Sequence, residues 1–396
     1  MKFDEFDLHD DILEAISYMG YENATPIQEK AIPAILNNKD LLAFAQTGTG
    51  KTAAFILPIL DKIGHSNSNS INTLIIVPTR ELAIQIDQQI QGFSYFVPIN
   101  SIAIYGGGGG NDWTREENAL SSNTDIIVAT PGKMIAHLNM GKIDFSNLKH
   151  LILDEADRML DMGFYDDIQR IISYLPKKRQ TLLFSATMPP KIKKLASSIQ
   201  NKPEEIIIGL SKPAEGVLQA IYFVNETQKN PLINHLIVGK EEYKSILIFT
   251  STKSKVNQIV QGLKNKAYEV KGISSDLLQK QREEVLSDFR SKKTRVLVAT
   301  DVLSRGIDIK DINLIINYDM PNDAEDYVHR VGRTARAEAE GVAITLVNEG
   351  DMYKLKRIES LIGIEILKLP LPAELGNAPV YNPKPNRNTR FNKRRK

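Results

Sequence analysis

The sequence predicts an α/β protein made of two doubly wound parallel-sheet domains and a disordered basic C-terminal tail. Short runs rich in Ile, Leu and Val alternate with segments of helical periodicity, a pattern typical of parallel strands covered by helices on both faces. The length of 396 residues exceeds what one compact domain usually holds. The alternation breaks at GLSKPAEG and then resumes. We therefore predict domains at 1–208 and 217–370, a linker at 209–216, and a flexible tail at 371–396.

The individual elements follow from the same alternation. In the first half, the apolar runs predict strands at Leu41–Ala45, Leu74–Val77, Asp125–Val128, His150–Leu153 and Thr181–Phe184. The helices between them are predicted at Ala31–Leu36, Arg80–Gln91, Lys133–Asn139 and Ile168–Tyr174. In the second half, the predicted strands are Ile221–Val224, Ser245–Phe249, Tyr268–Val270, Thr294–Ala299, Leu314–Tyr318 and Ala343–Val347. Both halves thus share one rhythm of strands and helices.

The composition is that of a soluble globular protein, with 42% apolar and 25% charged residues. No apolar run approaches the roughly 18 residues that a membrane span needs, so we expect no membrane contact. The N-terminus, MKFDEFDLHDD, lacks the apolar core of a signal peptide, which favours a cytoplasmic location. The absence of cysteine excludes disulfides and cysteine-based zinc sites.

The formal net charge of +2 hides an uneven distribution. From Leu375 onward the chain holds seven of the 50 basic residues and no acidic one, which leaves 43 basic residues against 48 acidic ones. The body is therefore mildly acidic, at about −5, and the tail is a basic arm. Any binding of a polyanion by the body must come from local arrangement rather than from bulk charge.

A glycine-rich segment joins the first predicted strand to a helix of small and apolar residues. In this context glycines let backbone N–H groups point at phosphate oxygens, and the helix N-terminus adds positive potential. We expect Lys51 to reach the β- and γ-phosphates and the Thr52 hydroxyl to ligate Mg²⁺. A simple glycine-rich turn is the alternative, and GKT between strand and helix argues against it. The predicted nucleotide-binding residues are Gln46, Thr47, Gly48, Thr49, Gly50, Lys51 and Thr52.

Two carboxylates follow the predicted strand His150–Leu153, in the tetrapeptide DEAD at 154–157. Side chains at the carboxyl end of a parallel strand face the ligand crevice. Asp154 can hold Mg²⁺, and Glu155 can orient and deprotonate an attacking water. Carboxylates are also common at helix N-termini, so the tetrapeptide alone does not decide. In a chain with a phosphate loop, it predicts the second half of an ATPase site.

Further short motifs stand in a fixed order along the chain. They are GYENATPIQ (20–28), AQTGTGKT (45–52), PTRELA (78–83), GG (106–107), TPGK (130–133), DEAD (154–157), SAT (185–187), LIFT (247–250), QKQR (279–282), ATDVLSRGID (299–308) and HRVGRTAR (329–336). Across roughly residues 3–347 the chain resembles the DEAD-box family of ATP-dependent RNA helicases. The resemblance implies two tandem RecA-like domains, ATP with Mg²⁺ as cofactors, and RNA as partner. The short core is similar to the bacterial RhlE-type branch.

The resemblance also implies an adenine site. Gln28 offers both an acceptor and a donor, which match the N6/N7 edge of adenine, whereas guanine presents two acceptors there. A family member would pack an upstream aromatic residue on the base, here Phe3, with Phe6 as the rival. Asp301 corresponds to the aspartate that contacts the ribose. From its neighbours alone, Gln28 could equally be a polar residue at a helix start.

The motif HRVGRTAR places Arg330, Arg333 and Arg336 three residues apart, a spacing that puts them on one face if the segment is helical. A basic face for nucleic acid or solvent is one reading. The resemblance favours another, in which Arg333 and Arg336 are arginine fingers for the γ-phosphate. It also places His329 near the γ-phosphate. The residues implied to couple the two domains are Ser185, Thr187, Arg305, Gly306 and Asp308.

A groove for the RNA backbone is implied at strand and helix ends on the crevice side. Hydroxyls, backbone N–H groups and basic side chains suit phosphates without reading bases. Lys133 stands where relatives usually carry arginine, which exchanges a bidentate donor for a point charge. The candidate RNA-binding residues are Thr79, Arg80, Gly106, Gly107, Thr130, Pro131, Gly132, Lys133, Arg282 and Thr300.

The expected function is RNA-stimulated ATP hydrolysis coupled to interdomain closure and local, non-processive unwinding of RNA duplexes by a monomeric core. Two alternatives stay open. One is an ATP-gated RNA clamp or assembly factor that never separates strands. The other is a DNA helicase or translocase on the same scaffold, against which Gln28 and the QKQR block argue.

Overall fold

In the computed structural model, the chain divides into two compact units, Met1–Leu210 and Ser211–Lys396. The structure describes residues 1–383 apart from 46–47, 65–69, 108–109, 122–123, 142, 209–216, 264–268, 275, 301–311, 322–323 and 335–340. The predicted linker at 209–216 therefore lies outside the described residues.

The first unit is a seven-stranded parallel sheet in the order β3-β4-β2-β5-β6-β1-β7. Its strands are β1 Leu41–Phe44, β2 Thr73–Ile76, β3 Ser101–Ile104, β4 Ile126–Ala129, β5 His150–Leu153, β6 Gln180–Ser185 and β7 Glu204–Ile207. The register places Leu41 of β1 opposite Leu182 on one side and Glu204 on the other. Consecutive strands point the same way, so helices must carry the chain back across the sheet.

The helices of the first unit cover both faces of this sheet. They are α1 Asp10–Tyr18, α2 Pro26–Leu36, α3 Lys51–Gly64, α4 Arg80–Phe93, α5 Gly110–Ser121, α6 Pro131–Asn139, α7 Ala156–Asp161, α8 Tyr165–Ser173 and α9 Pro190–Ile199. Proline at the first position of α2, α6 and α9 has no N–H to leave unpaired there. Two apolar cores result, because Leu41 and Ala43 of β1 pack into one while Leu42 and Phe44 pack into the other.

The second unit repeats this architecture with the order β10-β11-β9-β12-β13-β8-β14, again all parallel. Its strands are β8 Val217–Phe223, β9 Ile246–Thr250, β10 Val270–Ile273, β11 Val296–Thr300, β12 Leu314–Asn317, β13 Gly341–Val347 and β14 Leu367–Leu369. Its described helices are α10 Lys229–Ile237, α11 Lys253–Leu263, α12 Gln279–Arg290, α13 Ala324–Val331 and α14 Met352–Ile362. Counted along each unit, the two sheets have the same strand order, which confirms the predicted fold class of two doubly wound domains.

The first part of the predicted tail differs from expectation, because residues 371–383 pack against the second unit. Leu371 and Leu375 lie on its apolar core, and the Tyr381 ring centroid is 5.1 Å from that of Phe223. The Gln228 amide donates to the carbonyls of Leu375, at 2.8 Å, and Asn377, at 3.1 Å. Apolar contacts therefore anchor this stretch. The basic residues from 384 onward lie outside the described residues.

No described helix combines the length and the apolar character that crossing a bilayer requires.

Candidate nucleotide and nucleic-acid sites

Strand order sorts the predicted site residues of the first unit into two groups. The phosphate loop, Asp154 and Ser185 lie at the carboxyl ends of β1, β5 and β6, which are neighbours in the sheet. Thr79, Gly106 and Thr130 lie at the carboxyl ends of β2, β3 and β4, which are also neighbours. One edge of a single sheet thus carries the predicted ATP residues on one side and the predicted RNA residues on the other.

The phosphate loop leads into α3, whose first residue is Lys51. Gly48 and Gly50 adopt φ values of +84° and +91°, in the left-handed region that favours glycine. Lys51 is 6% exposed, and its buried ammonium has no hydrogen-bond partner among the described residues. A buried cation without a partner is costly, so this geometry suits an anion at the loop. Gln46 and Thr47 lie outside the described residues.

Gln28 is tied to the phosphate loop. It is 1% exposed, and its amide donates to the Gly50 carbonyl at 3.1 Å, while its own carbonyl accepts from the Thr25 N–H at 2.8 Å. A Cβ at Gly50 would lie 2.5 Å from Gln28 Nε2, so only glycine permits this approach. Gln28 therefore caps α2 and supports the loop, and each of its polar groups keeps capacity for one more bond.

The two aromatic candidates for the base, Phe3 and Phe6, both lie in the apolar core. They are 4% and 5% exposed, with ring centroids 6.0 Å apart, and Tyr21 contacts Phe3 edge-on at 6.2 Å. The Ala24 N–H donates to the Met1 carbonyl at 2.9 Å, which draws the N-terminus to the start of α2. Exposure does not separate the two candidates, and the role of Phe3 stays a prediction.

Asp154 and Glu155 follow β5 as predicted from the sequence. Burial raises the pKa of Asp154 to about 6, against the opposing effect of the Lys51 charge. Glu155 adopts a left-handed conformation with φ +50°, which is uncommon for a residue with a side chain. Its carboxylate accepts from Arg158 at 2.9 Å. The strained backbone and the buried carboxylate are properties that concentrate at functional sites.

The last aspartate of the DEAD tetrapeptide connects it to the SAT segment, a role that the sequence did not reveal. Asp157 Oδ2 accepts from the backbone N–H and the hydroxyl of Thr187, both at 2.9 Å, and from the Ala186 N–H at 3.2 Å. The Ser185 hydroxyl donates to the Thr187 carbonyl at 2.7 Å. Ser185 is therefore bonded to Thr187, and Thr187 is bonded to the first turn of α7, directly after the carboxylates Asp154 and Glu155.

The donor set is compatible with Mg²⁺. Thr52 and Asp154 supply hard oxygen atoms, and Mg²⁺ commonly takes one or two carboxylates together with substrate phosphates. Across the described residues no group of three or more acidic or histidine side chains forms a cation cage.

The predicted RNA residues of the first unit cluster at the β3-β4-β2 end of the sheet. Thr79 caps α4 by accepting from the Leu82 N–H at 3.3 Å. The Arg80 guanidinium lies 4.5 Å from the centroid of the Tyr105 ring, and Gly107 has φ +97° close to the Arg80 side chain. Stacking on the Tyr105 ring orients the planar guanidinium of Arg80 at this edge of the sheet.

Residues Thr130, Pro131, Gly132 and Lys133 begin α6 at the same end. Thr130 precedes the helix in an extended conformation, and Pro131 opens it. Lys133, by contrast, is already engaged: its ammonium lies 2.8 Å from the Glu116 carboxylate and 4.1 Å from the Trp113 ring centroid. The structure therefore gives this lysine partners that the sequence did not indicate.

In the second unit, Thr300 ends β11 and Arg282 lies on α12, at the β10-β11-β9 end of the sheet. The predicted residues Asp301, Arg305, Gly306, Asp308 and Arg336 lie outside the described residues, as does the side chain of His329. The part of Arg333 in nucleotide binding stays a prediction.

Arg330 does not belong to an exposed basic face. It is 3% exposed, donates to the Asn317 amide oxygen at 3.1 Å and to the Asp319 carbonyl at 2.8 Å, and lies 5.1 Å from the Phe249 ring centroid. Arg333 is half-buried. The expectation that three arginines share one face is therefore wrong for Arg330, which fixes α13 to the ends of β9 and β12.

Asp319 is a buried hub that sequence reasoning missed. Its carboxylate accepts from Lys255 at 2.7 Å, Lys229 at 3.1 Å, Thr250 at 2.8 Å, and the backbone and hydroxyl of Ser251 at 2.9 and 2.7 Å. Burial opposes ionisation, but the bonds from Lys255 and Ser251 hold the pKa of Asp319 below its usual value. The signal in the sequence is an aspartate just after the strand that corresponds to β5.

Two doubly wound units, one of them with a phosphate loop and strand-end carboxylates, are typical of two-domain nucleoside-triphosphate-dependent helicases. The comparisons with known proteins give the family. The DEAD/DEAH box helicase model matches residues 25–195, and the helicase conserved C-terminal domain model matches residues 228–338. The chain belongs to the DEAD-box helicase family.

Relatives match over most of their length. The ATP-dependent RNA helicase CshA of Listeria monocytogenes is 43% identical over 359 residues, which cover 90% of this chain and 68% of that protein. The DEAD-box ATP-dependent RNA helicase CshA of Bacillus subtilis is 40% identical over 358 residues, covering 90% and 72%. Assignment to the RhlE-type branch stays a prediction.

Solved structures agree with this family. S. cerevisiae Dbp5 bound to RNA and ADP BeF3 superposes with a TM-score of 0.82 at 32% identity, covering 93% of this chain and 95% of that one. Mss116p bound to ssRNA and AMP-PNP superposes with a TM-score of 0.81 at 28% identity, covering 94% and 80%.

Proposed function

We propose that this helicase couples RNA-stimulated ATP hydrolysis to closure of its two units and to local, non-processive separation of RNA strands. The observation that carries the proposal is the buried ammonium of Lys51, which makes no hydrogen bond to any described residue, together with the Asp154 carboxyl, whose pKa burial raises to about 6. This ammonium donates no hydrogen bond within the described residues, and a nucleotide triphosphate is the anion that a phosphate loop binds. Relatives named ATP-dependent RNA helicases support ATP and RNA as the ligands.

In the first unit, we assign Lys51 to the β- and γ-phosphates and Glu155 to the attacking water. Asp154 and Thr52 would hold Mg²⁺, which supplies charge neutralisation at the phosphate oxygens when it is bound. Gln28 would read adenine while it supports Gly50 through the bond at 3.1 Å. Asp157 is bonded to Thr187 at 2.9 Å, so a movement of the DEAD segment on nucleotide binding would also move Thr187.

The second unit would supply the charge that the first unit lacks. Arg333 and Arg336 are assigned to the γ-phosphate, where guanidinium groups stabilise transition-state charge and contribute about 10³–10⁵ in rate. ATP and RNA each gain contacts when both units engage, so each ligand should increase the affinity for the other. A backbone bent by this closure no longer fits a duplex, which separates the strands locally.

Turnover of ATP by the full chain with and without single-stranded RNA tests the coupling. We expect stimulation of at least about tenfold, and loss of turnover in Arg333→Ala with nucleotide binding retained. An RNA-independent rate would reject the coupling. Equal turnover in wild type and Arg333→Ala would reject the assignment of this arginine.

A duplex-displacement assay separates a helicase from an ATP-gated clamp. We expect strand release that needs ATP and fails in Lys51→Ala. ATP-dependent retention of RNA without strand release would favour the clamp. Competition between RNA and DNA of one sequence tests the preference for RNA.

A further inference from the structure

Helices α5 and α6 meet through four side chains beside the predicted RNA edge. Lys133 and His137 are four residues apart on α6, and Trp113 and Glu116 are three apart on α5, so each pair lies on one helix face. The His137 ring stacks on the Trp113 ring with centroids 4.3 Å apart and an interplanar angle of 13°. The four side chains form one contact that encloses the Lys133 ammonium.

Within this contact, a single carboxylate serves both residues of α6. Glu116 Oε2 lies 2.8 Å from Lys133 Nζ and 2.8 Å from His137 Nε2. The exposed fractions are low, at 15% for the Lys133 side chain, 7% for Glu116 and 3% for His137. The indole face at 4.1 Å attracts the same ammonium. An ion pair that is this poorly hydrated is screened much less by salt than an exposed pair.

We propose that Glu116 competes with an RNA phosphate for Lys133, so that α5 withholds this cation until RNA displaces the carboxylate. The inference rests on the proposed RNA contact of Lys133 and adds a residue that sets its strength. A lysine paired with a carboxylate presents little net charge to a phosphate, and an adjacent anion repels one. Glu116 thereby reduces the affinity for RNA without contacting RNA itself.

The negative charge is the feature that points to competition. A glutamine at 116 would keep the chain length and an oxygen that accepts from both Lys133 and His137. The full charge of glutamate adds a hold on the lysine beyond what packing of α5 on α6 requires. Glu116→Gln consequently tests the charge with little change of shape.

The first test compares four full-length proteins, namely wild type, Glu116→Gln, Lys133→Ala and the double variant. The RNA concentration at half-maximal ATPase stimulation should fall about fivefold in Glu116→Gln with the maximal rate unchanged. It should rise in Lys133→Ala, and Glu116→Gln should add nothing in that background. Glu14→Gln, at an exposed position of α1, is the charge-matched control and should behave like wild type. Thermal melting verifies that each variant is folded.

The second test uses Trp113, which is the only tryptophan of the chain. Its ring contacts Lys133 directly, so a titration with single-stranded RNA should change the intrinsic fluorescence as the ammonium leaves the ring. Lys133→Ala should remove this change. An RNA titration that leaves the emission of the wild type unaltered would overturn the displacement.

The outcomes distinguish the RNA contact of Lys133 from its competition with Glu116. If Lys133→Ala leaves RNA affinity unchanged, Lys133 does not contact RNA, and both its proposed role and the competition are rejected. If Lys133→Ala weakens binding while Glu116→Gln weakens it or leaves it unchanged, the RNA contact stands and the competition is overturned.

Discussion

The two units share one strand order, but a lysine at the same position of the fold has different surroundings in each unit. In the first unit, Lys51 opens the helix after β1, and in the second, Lys229 opens α10 shortly after β8, the corresponding strand. Asp154 follows β5, and Asp319 lies just beyond the corresponding strand β12. Each unit therefore places a lysine and an aspartate at matching points of its sheet.

The difference lies in what satisfies the lysine. The Lys229 ammonium is fully buried and bonded to Glu226 at 2.9 Å and Asp319 at 3.1 Å. The Lys51 ammonium, by contrast, has no hydrogen-bond partner in the described part of the first unit. In the second unit, two carboxylates of the protein itself, Glu226 and Asp319, neutralise the lysine. In the first unit the corresponding cation is the one that we propose binds a phosphate, so the same position of one fold would be structural in one half and ligand-binding in the other.

The largest expected effect is on catalysis, from Lys51→Ala. Since this ammonium makes no hydrogen bond within the part of the chain that the structure describes, its loss should leave the fold intact and remove the proposed phosphate contact, lowering ATP turnover by at least about 10³-fold. Steady-state ATPase measurements at saturating RNA check this. A variant that kept a tenth of the wild-type rate would contradict the contrast between the two lysines.

For Lys229→Ala we expect the reverse, a stability effect of about 3 kcal/mol in the unfolding of the second unit, because Asp319 loses a buried partner. Urea denaturation measures it. Lys253→Ala, which breaks a pair with both side chains more than half exposed, is the matched control and should leave the transition nearly unchanged. Equal changes of unfolding free energy in Lys229→Ala and Lys253→Ala would show that the buried Lys229 does not stabilise the second unit.

Asp154→Asn should stabilise the ligand-free chain in a pH-dependent way. Burial raises the pKa of Asp154 from 3.8 to about 6, so between these values the folded state holds a proton that the unfolded state has released. The unfolding free energy of the wild type therefore falls as the pH rises through this window and stays lower above it. The variant should gain about 3 kcal/mol near pH 7 and nothing near pH 4.

Melting curves of the two proteins across this pH range provide the measurement for Asp154. Asp7→Asn, at an exposed position, is the control. A gain that did not change with pH would disprove the link to ionisation of Asp154.

The smallest effect concerns the basic arm. Removing residues 384–396 keeps the anchored stretch that ends at Pro383 and deletes seven basic residues. RNA affinity should weaken, and the slope of log affinity against log salt should decrease by at most about five. An unchanged slope would identify the arm as a solubilising tail.

The sequence predicted the central strands well and missed strands at the sheet edges. Strand His150–Leu153 has the predicted bounds because it is buried on both faces and therefore forms a continuous apolar run. The missed strands β3, β7 and β14 are all edge strands. Their outer faces meet solvent, so polar residues such as Glu204 interrupt the apolar pattern.

Site residues were predictable where a motif fixes them to a strand end, as for Lys51 and Asp154. Contacts between separate elements left no local signal. The pairing of Glu116 with Lys133 depends on how α5 meets α6, and the burial of Arg330 depends on the ends of β9 and β12. Helical spacing does not indicate which face of α13 packs on the sheet, so the sequence alone wrongly assigned Arg330 to an exposed face.

The bond between Gln28 and Gly50 limits how this enzyme can be redesigned. Gln28 is the residue that we propose reads adenine, so a side chain chosen at position 28 to accept guanine would also lose the bond that supports the turn at Gly50. A substitution that changes the nucleotide preference should therefore slow turnover with every nucleotide, unless a second substitution restores a hydrogen bond to the Gly50 carbonyl.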